Sequence, residues 1–125
     1  MHLVIAIPTL NRHQNLRRNI QSIKNQIIPD GIKLSLAISN SASTDDTGEY
    51  LRELSAKNDN IIIFNQQTGW TGGNYGHLAS IIPEDADWAW FMGDDDFFPT
   101  KEIIKIVTEF LLRASSNKQF AFLHA

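Results

Sequence analysis

The sequence predicts an α/β domain: an open, mostly parallel sheet with helices on both faces. Short apolar runs recur along the chain and read as strands buried on both sides. Between them lie stretches with apolar residues at helical spacing, so strand and helix alternate every ~25 to 30 residues, the rhythm of βαβ crossovers. The apolar runs also open into polar clusters, and open parallel sheets seat their ligands outside the carboxyl ends of their strands.

Leu3 to Ile7 is the first such run, stopped by Pro8. Pro8 to Arg12 is a loop in which Asn11 is placed to cap the next helix. Leu16, Ile20, Ile23 and Ile27 repeat at helical spacing and form a stripe that packs on the sheet, while Arg17, Arg18, Gln21 and Lys24 fall elsewhere. Pro29-Asp30-Gly31 signals a turn. Ile32, Leu34, Leu36 and Ile38 lead into the polar loop Ser39 to Ser43. Ser43 or Thr44, with Asp45 and Asp46 in the next turn, starts a second helix running through Tyr50, Leu51 and Leu54 to about Lys57. The third strand is Ile61 to Phe64. Its glycine-rich exit loop, Asn65 to Asn74, feeds a short helix over Tyr75 to Ile82 that Pro83-Glu84-Asp85 ends. Trp88, Ala89, Trp90, Phe91 and Met92 form a fourth strand, buried on both faces. Lys101 to Arg113 is a further amphipathic helix on Ile103, Ile104, Val107, Phe110 and Leu111, and Phe120 to Leu123 reads as a last strand.

At 125 residues the chain is one domain with a real core and no room for a second catalytic half. Its formal charge of −3 argues against a nucleic-acid binder held by the phosphate field. With no cysteine there is neither a disulfide framework nor thiolate chemistry, which fits a reducing compartment. No stretch resembles a signal peptide, and no apolar run approaches the ~20 residues a membrane span needs. The expected location is therefore cytoplasmic, up to the inner face of the membrane. Composition leaves the oligomeric state open.

The fourth strand runs through Gly93 straight into Asp94, Asp95 and Asp96. Two carboxylates about 5 Å apart repel by roughly 3 kcal/mol at an effective dielectric of ~20, so such a cluster beside a core calls for donors, protonation or a cation. Mg²⁺ or Mn²⁺ fits, since each takes one or two protein carboxylates and leaves other positions to water and substrate phosphate. The simpler alternative is a polar turn followed by a helix cap. Thr9, Asn11, Asn40 and Ser41, beyond the first two strands, carry donors and acceptors for a base and ribose. For Asn11, Ser43 and Thr44, each taken alone, helix capping is the favoured explanation. Gly72, Gly73 and Asn74 let backbone approach a ligand, and N–H groups at a helix start suit a phosphate, although Gly69 and Gly73 also serve a turn with positive φ. The spacing matches neither G-x-G-x-x-G nor G-x-x-x-x-G-K-[ST]. No His pair has zinc-ligand spacing. Trp70 is either a lid or a packing residue.

Taken in order, Val4-Ile5-Ala6-Ile7-Pro8-Thr9-Leu10-Asn11-Arg12, Ser43-Thr44-Asp45-Asp46-Thr47, Gly69-Trp70-Thr71-Gly72-Gly73-Asn74 and Trp90-Phe91-Met92-Gly93-Asp94-Asp95-Asp96 resemble the family 2 glycosyltransferases of the GT-A fold. The glycine loop is similar to that of rhamnosyltransferases, and the strand with its acid triplet to that of abequosyltransferase-type enzymes. The resemblance implies transfer of a sugar, with inversion, from a nucleoside-diphosphate donor to a hydroxyl of a glycan or lipid-linked acceptor, in polysaccharide or glycoconjugate synthesis. It implies that Asp94, Asp95 and Asp96 form the D-x-D-type motif holding Mg²⁺ or Mn²⁺ against the diphosphate. It also implies that Pro8, Thr9 and Asn11 contact the nucleoside and that Gly72 to Asn74 lie close to the donor. Asn40 departs from the pattern, standing where the family usually has an Asp that reads a base imide, so the nucleotide is left open. The family's acceptor-binding half and catalytic base follow beyond residue 125. The chain is thus expected to be a donor-binding domain with weak or no turnover alone, and no base is named. The competing class is a non-catalytic nucleotide-binding or interaction module in which the acids only cap a helix.

Overall fold

The computed structural model describes residues 1–67 and 74–116. Through these residues strands and helices alternate as β1 (His2–Thr9), α1 (His13–Lys24), β2 (Lys33–Asn40), α2 (Thr47–Lys57), β3 (Ile61–Asn65), α3 (Asn74–Ile81), β4 (Trp88–Phe91) and α4 (Ile103–Ser116). The strands pair in parallel in the order β3-β2-β1-β4. The expected last strand, Phe120 to Leu123, lies outside the described residues, as do Gly69, Trp70, Gly72 and Gly73.

Register explains the two layers. Leu3, Ile5 and Ile7 stand beside Leu34, Leu36 and Ile38 on β2, and Leu3 and Ile5 beside Trp88 and Trp90 on β4. Partners in register share a face, and this face meets Leu16, Ile20 and Ile23 of α1, Leu51 and Leu54 of α2, and Ile104 and Leu111 of α4 in one buried cluster. Each fully buried Leu or Ile contributes about 1.5–3 kcal/mol. The opposite face carries Val4, Ala6, Ser35, Ala37 and Ser39, residues small enough for α3 to lie close across β1, β2 and β3 and bury Leu78. Helices therefore cover both faces, as the sequence predicts.

Several expectations shift. Pro8 lies inside β1 rather than ending it. Its consequence falls on the other neighbour: Met92 donates its N–H to Ala6 O, and the next rung would need an N–H from Pro8, which has none. Pairing of β1 with β4 accordingly stops at Ala6–Phe91, while pairing with β2 continues to Thr9–Asn40. The chain after Phe91 is released there, at the carboxyl end of the sheet.

β4 is not buried on both faces. Trp90 is buried, but Ala89 and Phe91 are exposed, because β4 is an edge among the described strands and α3 lies mainly across the other three, reaching β4 with the Tyr75 ring beside Phe91. Ile27 falls after α1 and is 49% exposed; its backbone N–H, not its side chain, docks on Lys101 O. Phe110 of α4 is 53% exposed, and Thr108 takes a buried position in that helix by returning its hydroxyl to Ile104 O. The second helix starts at Thr47, later than Ser43 or Thr44. No described helix is long and apolar enough to cross a membrane.

Candidate functional site

The released segment turns at Gly93 and brings three carboxylates to the rim. Asp94 is buried, and its Oδ2 accepts the Thr9 hydroxyl at 2.8 Å. Arg12 Nη1 reaches Asp94 Oδ1 at 3.3 Å and Asp95 Oδ2 at 3.2 Å. Burial pushes the Asp94 carboxyl above the usual range; the Thr9 hydroxyl and the Arg12 guanidinium oppose this, and the charge of Asp95 adds to it. Asp96 Oδ2 accepts the Gly93 N–H at 3.0 Å. A Cβ built on Gly93 would lie 2.9 Å from Asp95 Oδ1 and 3.1 Å from Asp96 Oδ2. Two carboxylate oxygens therefore converge on a space that only glycine leaves open.

That convergence is a test of the expected cation. Two hard oxygen donors at an exposed turn match the one or two protein carboxylates a Mg²⁺ or Mn²⁺ ion takes. They do not make a closed cage: among the described residues no group of three His, Cys, Asp or Glu side chains is arranged to hold a metal. Asp94 is engaged through both oxygens, by Thr9 and Arg12, whereas Asp95 meets Arg12 through Oδ2 alone and Asp96 Oδ2 accepts the Gly93 N–H.

The other predicted site residues among those described meet at the same rim, largely bonded to one another; Gly72 and Gly73 lie outside the described residues. Pro8 is half-buried at the end of β1, and Thr9 O accepts the N–H of Ser41, itself buried. Asn11 is not the cap of α1. It adopts a left-handed φ of 50°, and its Oδ1 accepts the N–H groups of Thr44 at 2.6 Å and Asp45 at 3.3 Å, tying the first loop to the second. Asp45 returns the contact, accepting the His13 N–H at the start of α1 and the Thr47 N–H at the start of α2. Asn40 is buried, with Oδ1 accepting from Ser43 N and Oγ, and Nδ2 donating to Asn65 Oδ1 at 3.1 Å. Asn74 is buried and accepts from Gln66 Nε2 at 2.6 Å, which also reaches Ser39 Oγ. Buried polar groups find partners, and here Thr9, Asn40 and Asn74 find them in neighbouring loops. Ala42, a non-glycine residue at φ 54°, carries the strain of the second loop.

Sequence reasoning assigned no role to Arg12, the cation bridging Asp94 and Asp95, or to Asn19, a fully buried amide of α1 that donates to Gly93 O and Asp96 O. The signal for Asn19 was present: a polar residue beside Leu16, Ile20 and Ile23 on a helix whose stripe is otherwise apolar.

The family model described as Glycosyl transferase family 2 matches residues 4–116, from β1 through the rim loops and the acid turn to the end of α4. The chain belongs to glycosyl transferase family 2. It is 31% identical over 112 residues to the abequosyltransferase RfbV of Salmonella typhimurium, covering 89% of this chain and 33% of that protein. It is also 31% identical over 94 residues to a GalNAc(5)-diNAcBac-PP-undecaprenol beta-1,3-glucosyltransferase of Campylobacter jejuni, covering 75% of this chain and 29% of that one. The chain thus spans about a third of the length of these curated relatives. Among solved structures, S. aureus TarS 1-349 in complex with UDP-GlcNAc superposes with a TM-score of 0.76 at 20% identity, covering 90% of this chain and 32% of that one. The mannosyltransferase PcManGT from Pyrobaculum calidifontis, in complex with GDP-Man and Mn²⁺, superposes at 0.69 and 18% identity, covering 87% and 32%. At those identities the likeness is one of fold, and the fold is GT-A.

Proposed function

We propose that this chain is the donor-binding part of a metal-dependent, inverting glycosyltransferase that moves a sugar from a nucleoside diphosphate to a hydroxyl of a glycan or lipid-linked acceptor. The observation that carries the reading is the convergence of Asp95 Oδ1 and Asp96 Oδ2 over Gly93, at the strand end where a GT-A sheet opens. The two solved neighbours with bound nucleotide sugars, one with Mn²⁺, support it. The proposed ligands are Asp95 and Asp96. Bound there, Mg²⁺ or Mn²⁺ would supply Lewis acidity to a departing diphosphate.

The chain's own residues do the rest. Thr9 and Arg12 hold the buried Asp94 and so fix the first residue of the turn. Arg12 is the cation that offsets the acids, and its half-exposed guanidinium is within reach of an incoming diphosphate. The Asn11–Asp45 clasp keeps the first two loops in register, so a nucleoside meets a preformed wall rather than two independent loops. The acceptor site and the catalytic base are assigned to residues outside this chain, a division supported by relatives about three times its length.

The second reading, a turn with no ligand, has one observation in its favour: Asp96 Oδ2 already accepts the Gly93 N–H. Calorimetry separates the two. Asp95→Ala and Asp96→Ala are expected to abolish Mn²⁺-dependent binding of whichever of UDP, dTDP, GDP and CDP the chain prefers. Unchanged binding by both variants would leave the turn as structure only.

A further inference from the structure

The α1 stripe that faces the core has one polar member. Asn19 is fully buried beside Leu16, Ile20 and Ile23, where a leucine would carry no desolvation cost. Its Nδ2 donates to Gly93 O at 3.0 Å and to Asp96 O at 2.9 Å, while its Oδ1 has no partner among the described residues. The amide orientation is forced, because the opposite one would face an oxygen to two carbonyl oxygens. A buried, unpaired amide oxygen is costly, so the two donated bonds must offset it as well as the burial of the group.

Two further polar residues, one on the helix and one just beyond it, continue the contact. Ser22 Oγ accepts the Phe98 N–H at 3.0 Å; Gln26, just past the helix end, donates to Thr100 O at 2.6 Å and accepts the Ile104 N–H at 3.1 Å. They hold the later part of the segment and the start of α4. Among the side chains of the described residues only Asn19 bonds to both ends of the acid turn, the carbonyls of Gly93 and Asp96, which the backbone bond from Asp96 N to Gly93 O also joins.

We propose that Asn19 is a positioning residue for the cation and diphosphate site: by pinning Gly93 and Asp96 from below it fixes the spacing at which the Asp95 and Asp96 carboxylates converge. The inference rests on the donor-site reading above. Outer-shell groups of this kind change metal affinity by about 10- to 100-fold when lost. Ser22 and Gln26 bond farther along and contribute to folding without setting that spacing.

The test uses Asn19→Leu, which keeps side-chain size and removes both donors, Asn19→Ser, which keeps a shorter donor, and Gln26→Ala as the control. Two quantities are read: amide hydrogen exchange of the metal-free chain, and the affinity for Mn²⁺ with nucleoside diphosphate by calorimetry. Asn19→Leu is expected to speed exchange at Gly93 and Asp96 and to weaken Mn²⁺-nucleotide binding by about 10-fold, with Asn19→Ser between it and the natural chain. Gln26→Ala is expected to lower the melting temperature with affinity within about twofold. Unchanged turn exchange in Asn19→Leu, or an equal affinity loss in Gln26→Ala, would overturn the assignment. Failure of the natural chain to bind Mn²⁺ with any of the four nucleotides would instead overturn the donor-site reading, and exchange at Gly93 and Asp96 would then decide whether Asn19 sets the turn.

Discussion

The two ends of the sheet each carry a cluster of aspartates, and the chain treats them differently. At the amino end Asp85 faces Lys33 Nζ at 2.9 Å, and Asp87 Oδ2 accepts the His2 N–H at 2.7 Å, next to a His2 ring bonded to Ser35. The hydrogen bond from Lys33 holds the Asp85 carboxyl below the usual range. At the carboxyl end Asp94 and Asp95 share one guanidinium, Asp96 accepts only the Gly93 N–H among the described residues, and burial pushes Asp94 the other way. The residue type is the same; the local supply of positive charge is not. An acid cluster that the fold has already neutralised has no use for an outside cation; the proposed cation belongs to the cluster left with excess charge, which lies where the β1–β4 pairing opens.

Breaking the carboxyl-end cluster should have the largest effect. Asp96→Ala is expected to reduce Mn²⁺-dependent nucleotide affinity by about 100-fold or more, beyond the loss typical of an outer-shell partner, while Asp85→Asn leaves it unchanged; calorimetry on both checks the contrast. Gly93→Ala comes next. Its added methyl meets carboxylate oxygens at 2.9 and 3.1 Å, and since these are side-chain ends they give way, parting the two acids. The expected cost is about 1–2 kcal/mol in denaturant unfolding, with affinity reduced about 10-fold by misplacement of the ligands.

Arg12→Ala sharpens the charge argument. In metal-free protein it removes the only cation bonded to Asp94 and Asp95 among the described residues. Because the side chain is half-exposed the loss is modest, under about 1 kcal/mol, or about 2–4 °C in melting temperature. Added Mn²⁺ should recover it, and a deficit that persists in saturating Mn²⁺ would contradict the view that the cation and Arg12 neutralise the same acids.

The smallest effect belongs to Asp45. Slight burial works against its charge, but the Thr47 and His13 N–H groups outweigh it, and the carboxyl lies below the usual range. The sign follows: its stabilisation is present above the ordinary carboxylate range and disappears as pH falls through the lowered value. Asp45→Asn should cost about 0.5–1 kcal/mol at neutral pH, discounted for exposure, and nothing at strongly acidic pH. Urea unfolding across pH reads the difference.

The alternation of elements was legible because strands and helices bury different periodicities, and the register of β1 against β2 confirms the pattern residue by residue. The acid turn was legible from three adjacent charges beside a core strand. What sequence pattern could not show is which polar residues turn inward. Thr9, Asn11 and Asn40 carry the groups a nucleoside needs, yet each bonds to another loop, since partner choice depends on three-dimensional neighbours such as Asp94, Thr44 and Asn65. Burial of β4 was overestimated for a related reason: an apolar run reports what a strand tolerates, and the cover on its faces comes from elements elsewhere in the chain.

Paramagnetic broadening by Mn²⁺ in the ¹⁵N-labelled chain, with a nucleoside diphosphate present, tests the central claim most directly. Broadening centred on the amides of Gly93, Asp95 and Asp96 and reaching Thr9 and Arg12, with Lys33, Asp85 and Asp87 untouched, is the predicted result. Broadening centred on Asp85 and Asp87, or none at either end of the sheet, would contradict it.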